Sequence, residues 1–302
     1  MKKEYFPILI CLLGLLIGMN GCNKEEAIPY VAPEKDPVPT NATDSMILDI
    51  KNKYQSKIIY KWDRRYVSSS AKASPALFEK VLPYIGFIQE YWFDAYDSLC
   101  PGFSKDNTPI EIVLVGSVVS YGNGSSNDDS FDAAGLTMSF SRIILGSVNS
   151  INLTNNTWKK NTSATMHHEF AHILDKKYGR PFGFDNISKG LYAGNAKYTA
   201  FTNEEARKRG FWRNYGMSNE AEDFATFTEG IILLPKEEVM TIIAENTRLE
   251  NKYRLVYNHP ILFAMPFKLP LDLTTKLLAS TCMICMITWL EDGIKTKFTR
   301  NR

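Results

Sequence analysis

His168-Glu169-Phe170-Ala171-His172 is the stretch that decides the fold class, because it carries two imidazoles and a carboxylate at the spacing of a zinc hydrolase. On an α-helix, residues four apart lie one above the other, so His168 and His172 can bind one metal ion. Glu169 is rotated by roughly 100° from His168, where it can deprotonate a zinc-bound water. The alternative is an ordinary helix with two partly exposed histidines.

The flanking sequence predicts a helix around this motif. Thr162 and Ser163 are residue types that cap a helix N-terminus, and 166–178 contains no proline or glycine. Gly179 and then Pro181 follow, and both are typical of a helix end. The motif therefore lies on a predicted helix that stops just before Gly179.

A hydrolytic zinc site needs a third protein ligand, and histidine is a poor candidate for it in this chain. A metzincin places a third histidine six residues after the second, but position 178 is a tyrosine. His259 lies close to a C-terminal stretch whose character differs from the rest of the chain. An acid on a second helix remains, which is the gluzincin arrangement of two histidines and one glutamate.

The segment Tyr215–Phe227 offers that acid. Ser218 is a predicted N-cap, and the acids after it suit the positive end of the helix dipole. Glu220 and Glu222 are about 200° apart on a helix, so at most one of them faces the metal. We favour Glu222, because nearby alanines allow close packing against the motif helix, and Glu220 is the solvated alternative.

Together the two segments resemble a known group of enzymes. His168–His172, Tyr215 and the run Asn219–Ala225 look like the catalytic core of anthrax lethal factor and its relatives. That resemblance implies that Glu222 binds zinc and that Tyr215 stabilises the oxyanion of the reaction. The segment Gly210–Ala225 resembles more closely the zinc metallopeptidase lipoproteins of Bacteroidota. These are called substrate-import-associated because they accompany TonB-dependent nutrient importers.

The resemblance covers roughly Ser74–Thr228 and has one departure. Relatives usually carry a glutamate four residues after the ligand glutamate, whereas this chain has Thr226. If that acid orients a metal-bound histidine, its loss typically costs about 10–100-fold in affinity or activity. One alternative is therefore a zinc-containing accessory or binding lipoprotein of an importer, with little turnover. Another is a hydrolase of non-peptide amides or esters, which a metal site alone does not exclude.

The N-terminus predicts a lipoprotein. Met1–Lys3 is a basic start, and the apolar run Tyr5–Met19 is short for a membrane span. The following residues resemble a lipobox cleaved before Cys22, whose thiol then receives lipid and anchors the chain. Asn23–Glu26 is similar to the Lys-acid-acid export tag of surface lipoproteins, which implies an outer-membrane, cell-surface location. An uncleaved anchor and an ordinary solvated tether are the alternatives.

Composition agrees with an exported globular enzyme. The 302 residues are 44% hydrophobic and 12% aromatic, which is enough to bury a core. A net charge of only +2 does not indicate a nucleic-acid partner. The predicted partners are a peptide or glycoprotein substrate, a TonB-dependent importer complex and, through the lipid, the membrane.

The chain divides into four predicted regions. They are a signal peptide and lipobox (1–22), a proline-rich tether (23–43), a catalytic domain (44–257) and a divergent tail (258–302). For the third region we expect an α+β, zincin-like metallopeptidase domain. Its small mixed sheet packs on the motif helix, and further helices lie C-terminal to it.

Periodicity places the other elements. We expect helices at 44–54, 74–96 and 234–257. A strand or hairpin edge is expected at 58–67, a buried strand at 110–115, and a strand or hairpin arm at 136–148. A long polar loop is expected at 117–135. The last strand comes immediately before the motif helix, and it is a candidate edge strand that holds an extended substrate by backbone pairing. A plain internal strand is the alternative.

Overall fold

The computed structural model describes residues 36, 38–121, 131–139 and 141–259. The predicted lipobox with Cys22, most of the tether and the tail beyond residue 259 lie outside these residues. The chain divides into two units, residues 1–38 and 39–302, and all the described helices and strands belong to the second. Within the described residues, no helix is long and apolar enough to cross a membrane.

The second unit contains α-helices and short strands in mixed order. Its α-helices are α1 (Ala42–Tyr54), α2 (Phe78–Ile88), α3 (Asp94–Leu99), α4 (Phe103–Asn107), α5 (Asn156–Tyr178), α6 (Phe184–Ile187), α7 (Asn203–Lys208), α8 (Glu220–Leu233), α9 (Lys236–Ala244) and α10 (Thr247–Tyr257). Its strands are β1 (Lys57–Ile59), β2 (Ala71–Lys72), β3 (Glu111–Leu114), β4 (Val119–Tyr121), β5 (Phe131–Ala133), β6 (Gly135–Ser139) and β7 (Arg142–Leu145).

Four strands form a mixed sheet in the order β1-β3-β7-β6. The first three are parallel, with Ile58 opposite Ile112 and Ile112 opposite Ile143. Strand β6 runs antiparallel to β7 and pairs Leu136 with Ile144, and among the described residues it is the last strand on that side of the sheet. A second, antiparallel sheet has the order β2-β4-β5. The expected α+β class with a small mixed sheet is confirmed.

After their charged first residues, Glu111 and Arg142, the central strands β3 and β7 are entirely apolar, because both faces of the mixed sheet are covered there. Successive residues of a strand point to opposite faces. Ile112 and Leu114 belong to the main core, which also contains residues of α2, α5 and α8. Val113 and Ile144 belong to a second cluster with Val119 of the smaller sheet. A strand buried on both sides therefore reads as a continuous apolar run.

Helix α5 carries the histidine motif. It begins at Asn156, because the side chain of Asn155 accepts a hydrogen bond from the backbone N–H of Trp158. The caps predicted at Thr162 and Ser163 are therefore wrong, and the helix is longer than expected. Its end is as predicted: the glycine at position 179 has a φ of +78°, a conformation that favours glycine.

Phe170 fixes α5 against the core. Its ring packs edge-on against Trp92 and Tyr96, with centroid separations of 5.3 Å in both cases. Met166 and Leu174, one turn to either side, are also buried. His168 is two positions from Phe170 and hence about 200° around the helix, so the core contact aims the motif away from this aromatic cluster.

Several predicted elements differ in extent. The strand expected at 58–67 is confined to β1, and Arg64–Tyr66 forms a 3-10 turn instead. The helix expected at 74–96 begins at Phe78 and passes through a π-helical stretch, Gln89–Phe93, before α3. The loop expected at 117–135 contains β4 and β5. The segment 136–148, expected to be a strand or one hairpin arm, contains most of β6 and all of β7, which pair with each other as the two arms of a hairpin.

The C-terminal helix expected at 234–257 is two helices, α9 and α10. Asn246 interrupts it, because its side chain accepts a hydrogen bond from the backbone N–H of Arg248 and so caps a new helix. The start of α8 also differs by one residue. Asn219, not Ser218, is the N-cap, and it accepts from the backbone N–H of Glu222.

Candidate metal centre

Helices α5 and α8 bring three potential ligands together. Nε2 of His168 lies 3.0 Å from Oε2 of Glu222, and Nε2 of His172 lies 3.4 Å from the same oxygen. One ligand atom of each residue lies within 4.8 Å of those of the other two. Glu220, the alternative acid, is exposed, as the angle between the two positions requires.

This donor set fits a zinc ion. Two imidazole nitrogens and one carboxylate oxygen are ligands that zinc takes in hydrolytic sites. An ion about 2.0–2.2 Å from each donor holds neighbouring donors of a tetrahedron roughly 3.4 Å apart. The separations of 3.0 and 3.4 Å are close to that value, so a metal could be bound with small side-chain movements.

The charges at this centre are strongly coupled. Burial disfavours a charged imidazole, but hydrogen bonds to Glu222 and Glu229 outweigh it and raise the pKa of His168 to about 9. Burial also opposes the charge of Glu222, yet the hydrogen bonds from His168 and His172 hold the pKa of that carboxyl well below its ordinary value. The carboxylate thus stays ionised and attracts a positive charge into the centre.

Glu169 is buried beside the metal centre and contacts the edge strand β6. The hydroxyl of Thr137 lies 2.7 Å from Oε2 of Glu169 and 2.9 Å from its backbone oxygen. Gly135 makes this approach possible. A Cβ at that position would lie 2.8 Å from Cγ of Glu169 and 2.6 Å from Cγ2 of Thr165. The edge strand β6 therefore packs closely against the carboxylate side chain of Glu169 and donates a hydrogen bond to it.

Tyr215 lies beside the His168 ring, in the 3-10 turn Asn214–Met217. Its ring is 5.8 Å from the His168 ring, centroid to centroid, and it packs edge-on against Tyr198 at 5.2 Å. Burial, and then the carboxylates of Glu222 and Glu169, raise the pKa of Tyr215 far above its ordinary value. Its hydroxyl therefore keeps its proton and can donate it in a hydrogen bond.

Sequence reasoning missed Glu229. Its Oε2 lies 3.1 Å from Nδ1 of His168 and 2.9 Å from a guanidinium nitrogen of Arg213. Glu229 is seven residues after Glu222, two turns along α8, so both acids lie on one face of the helix. That spacing is the sequence feature that could have identified Glu229. The sequence analysis considered only position 226 for an acid that orients a histidine, and there the Thr226 hydroxyl donates to the backbone oxygen of Glu222 at 2.7 Å.

A buried ion pair supports the helix that presents Glu222. Nζ of Lys252, on α10, lies 2.6 and 2.7 Å from the two carboxylate oxygens of Asp223 and 2.8 Å from the backbone oxygen of Gly210. The hydroxyl of Tyr192 donates to Asp223 at 3.1 Å. Both charged side chains are fully buried. The C-terminal helix is therefore tied to the residue next to Glu222.

His167 faces away from the metal centre. It is completely buried, and its Nδ1 lies 3.0 Å from the hydroxyl of Tyr96. Burial lowers its pKa to about 4, so the ring is neutral at physiological pH. Its place in the core agrees with the roughly 100° that separates it from His168 on the helix.

Comparison with known proteins identifies the family. A family profile described as "Putative zinc-binding metallo-peptidase" matches residues 37–259. The fold is similar to the crystal structure of a putative zinc-binding metallo-peptidase from Bacteroides caccae, with a TM-score of 0.53 and 22% sequence identity. The similarity covers 70% of this chain and 82% of that chain. No curated protein matches. The family and this neighbour are both described as zinc-binding, and the His-His-Glu group of this chain could hold such a metal.

Proposed function

This chain belongs to the family described as putative zinc-binding metallo-peptidases, and on that premise we propose that it is a zinc-dependent hydrolase that cleaves within peptide chains. The observation that carries the proposal is the convergence of three donor atoms beside the buried carboxylate of Glu169. A helix with two solvated histidines would not bring a carboxylate from a second helix to both rings. The domain is, in this proposal, zincin-like and of the gluzincin type.

In the proposed site His168, His172 and Glu222 would hold the ion. Three protein ligands are the number typical of hydrolytic zinc sites, which also admit water or substrate. When bound, zinc supplies Lewis acidity, which polarises a carbonyl and makes water a better nucleophile near neutral pH.

Glu169 acts as the general base. It accepts a proton from the attacking water and then delivers that proton to the leaving nitrogen. The Thr137 hydroxyl, 2.7 Å from Oε2, limits the rotation of the carboxylate during these steps. General acid–base catalysis of this kind contributes typically about 10²–10⁴-fold to a rate.

The Tyr215 hydroxyl donates a hydrogen bond to the oxyanion that develops on the substrate carbonyl and keeps its proton. Its raised pKa suits this role, because a phenol that stays protonated remains a donor. Loss of one such donor typically costs about 10²–10³-fold in kcat.

The substrate of the proposed enzyme is an extended peptide, or the protein part of a glycoconjugate. Strand β6 supports this choice, because it is the last strand of the mixed sheet and contacts the general base through Thr137. An extended peptide can pair with such an edge through its backbone. Pairing there would bring a peptide bond close to Glu169.

The proposed location is the cell envelope. Cys22 would carry lipid and anchor the chain in the outer membrane, with the catalytic domain at the cell surface beside a nutrient importer. The basic start, the apolar run and the lipobox-like sequence support the anchor, and the resemblance to import-associated lipoproteins supports the importer. Cys22→Ala is expected to move the protein from the membrane fraction to the soluble fraction. Protease shaving of intact cells tests surface exposure.

Peptide-library digestion followed by mass spectrometry tests the activity. The wild type should cleave, whereas Glu169→Ala should retain zinc and lose hydrolysis. If both are inert on peptides while both bind zinc, the accessory reading replaces the peptidase. Thr226 is the observation behind that reading, since it supplies no carboxylate. Cleavage of amide or ester substrates without peptide cleavage would favour the non-peptide hydrolase.

A further inference from the structure

Both ring nitrogens of His168 face carboxylates. Nε2 faces Glu222 at 3.0 Å, and Nδ1 faces Glu229 at 3.1 Å. A neutral imidazole has one N–H and one lone pair. If Nε2 gives its lone pair to zinc, as in the proposed function, the proton must reside on Nδ1, where it is donated to Glu229. The inference that follows rests on that proposed function.

Glu229 has a second charged partner besides His168. A guanidinium nitrogen of Arg213 lies 2.9 Å from Oε2, the same oxygen that faces His168. Glu229 is only 9% exposed, so its charge needs such a partner. The Arg213 guanidinium also lies over the Tyr215 ring, 5.3 Å from its centroid. One arginine therefore contacts both Glu229 and the proposed oxyanion donor.

A close helix-to-loop approach brings Arg213 to this position. The neighbouring residue, Trp212, packs directly on Gly230 of α8. A Cβ on Gly230 would lie 1.9 Å from Cε2 of Trp212, so only glycine leaves room for the indole. Trp212 precedes Arg213 in the chain, and Gly230 follows Glu229. The contact between Trp212 and Gly230 therefore keeps Arg213 and Glu229 close to each other.

We propose that Glu229, braced by Arg213, is the positioning residue of His168: it fixes the tautomer and the ring orientation that zinc binding requires. Position 226, one turn after Glu222, carries a threonine whose hydroxyl bonds to the helix backbone. Glu229, two turns after Glu222, supplies the carboxylate instead. The ligand and the acid that orients another ligand are thus carried by one rigid helix.

Zinc affinity, measured by chelator competition on the purified chain, tests this role without depending on activity. Glu229→Leu removes the acceptor and should weaken zinc binding about 10–100-fold. Glu229→Gln keeps an acceptor for the Nδ1 proton and should lose less. Glu220→Gln is the matched control, because it changes an exposed acid on the same helix, and its affinity should equal that of the wild type.

Thermal unfolding in excess chelator shows whether each variant is folded. If Glu229→Leu does not fold, Glu229→Gln and Arg213→Met test the role of Glu229 instead. In NMR spectra of the zinc-loaded chain, the His168 Nδ1 proton should exchange with solvent faster in both variants than in the wild type. Affinities of folded Glu229 variants within twofold of the wild type would overturn the inference. A wild type that binds no zinc, or a His172→Ala variant that binds it equally well, would instead remove the proposed function.

Discussion

Replacing Lys252 by methionine should destabilise the fold far more than an ordinary lysine substitution would. The ammonium contacts both carboxylate oxygens of Asp223, at 2.6 and 2.7 Å, and neither side chain is exposed. Methionine fills a similar volume but carries no charge. The carboxyl group would then be buried without its cationic partner, although the hydroxyl of Tyr192 would still donate to it at 3.1 Å.

The magnitude follows from the cost of an unpaired buried charge. Removing one partner of a buried ion pair typically costs about 3–5 kcal/mol in the free energy of unfolding. Burial raises the pKa of Asp223 to about 6 even with Lys252 present. Without the lysine its pKa rises further, so the carboxyl takes up a proton near pH 7. Because protonation removes the unpaired charge, it limits the loss in the free energy of unfolding. We therefore expect a loss at the lower end of the 3–5 kcal/mol range, about 3 kcal/mol.

The stability lost in Lys252→Met should depend on pH. A carboxyl whose pKa is raised in the folded state costs no stability below its unfolded pKa, where it is neutral in both states. The cost appears as pH rises toward and through the folded pKa. The deficit of Lys252→Met relative to the wild type should therefore shrink between pH 7 and pH 4. Asp223→Asn combined with Lys252→Met should recover much of the loss, because neither charge is then buried.

Urea unfolding of the soluble chain in excess chelator, followed by circular dichroism at several pH values, measures these differences. The chelator removes any contribution of bound metal to the free energy of unfolding. A loss below about 1 kcal/mol for Lys252→Met at pH 7, or the same loss at pH 4.5, would refute the reasoning.

Other predictions concern the residues around the motif. Thr137→Val should lower the hydrolytic rate about 10–100-fold with zinc content unchanged, because a hydrogen bond to a charged acceptor is worth about 1.5–3 kcal/mol; Thr137→Ser should retain most of the rate. Gly135→Ala should lower both the rate and the unfolding temperature, since its Cβ would meet Cγ of Glu169 at 2.8 Å; an unchanged rate would contradict the fit described for β6. His167 has a pKa lowered from 6.5 to about 4, so its neutral burial contributes stability above pH 6.5 that is lost as pH falls to 4. The loss is roughly 3 kcal/mol for a shift of this size, and a His167→Phe variant, which leaves the Tyr96 hydroxyl without its partner, should show a flatter acid limb of stability against pH.

The features that could be predicted from sequence are those set by local chemistry. The end of α5 follows from a glycine, and the arrangement of His168 and His172 follows from helical geometry alone. The angle between Glu220 and Glu222 predicted that at most one of them faces the histidines, and the nearby alanines favoured Glu222. The structure has Glu222 beside both imidazoles. The roles of these residues in binding and catalysis stay predictions.

The features that escaped prediction depend on contacts between distant segments or on a competing local cap. Glu229 contacts His168 only because α8 packs against α5, and its spacing of seven residues from Glu222 was the one sequence signal that we did not use. Lys252 looks like an ordinary surface lysine until α10 packs against Asp223. The break between α9 and α10 could have been predicted, since Asn246 is a residue type that strongly favours the N-cap position.

Anomalous diffraction at the zinc edge, from crystals grown with one equivalent of zinc, is the most direct test of the metal centre. We expect one peak per chain, about 2.0–2.2 Å from Nε2 of His168, Nε2 of His172 and a carboxylate oxygen of Glu222. We expect that peak to be lost in His172→Ala. A peak elsewhere in the protein, or no zinc in a folded wild type, would contradict the assignment of these three ligands.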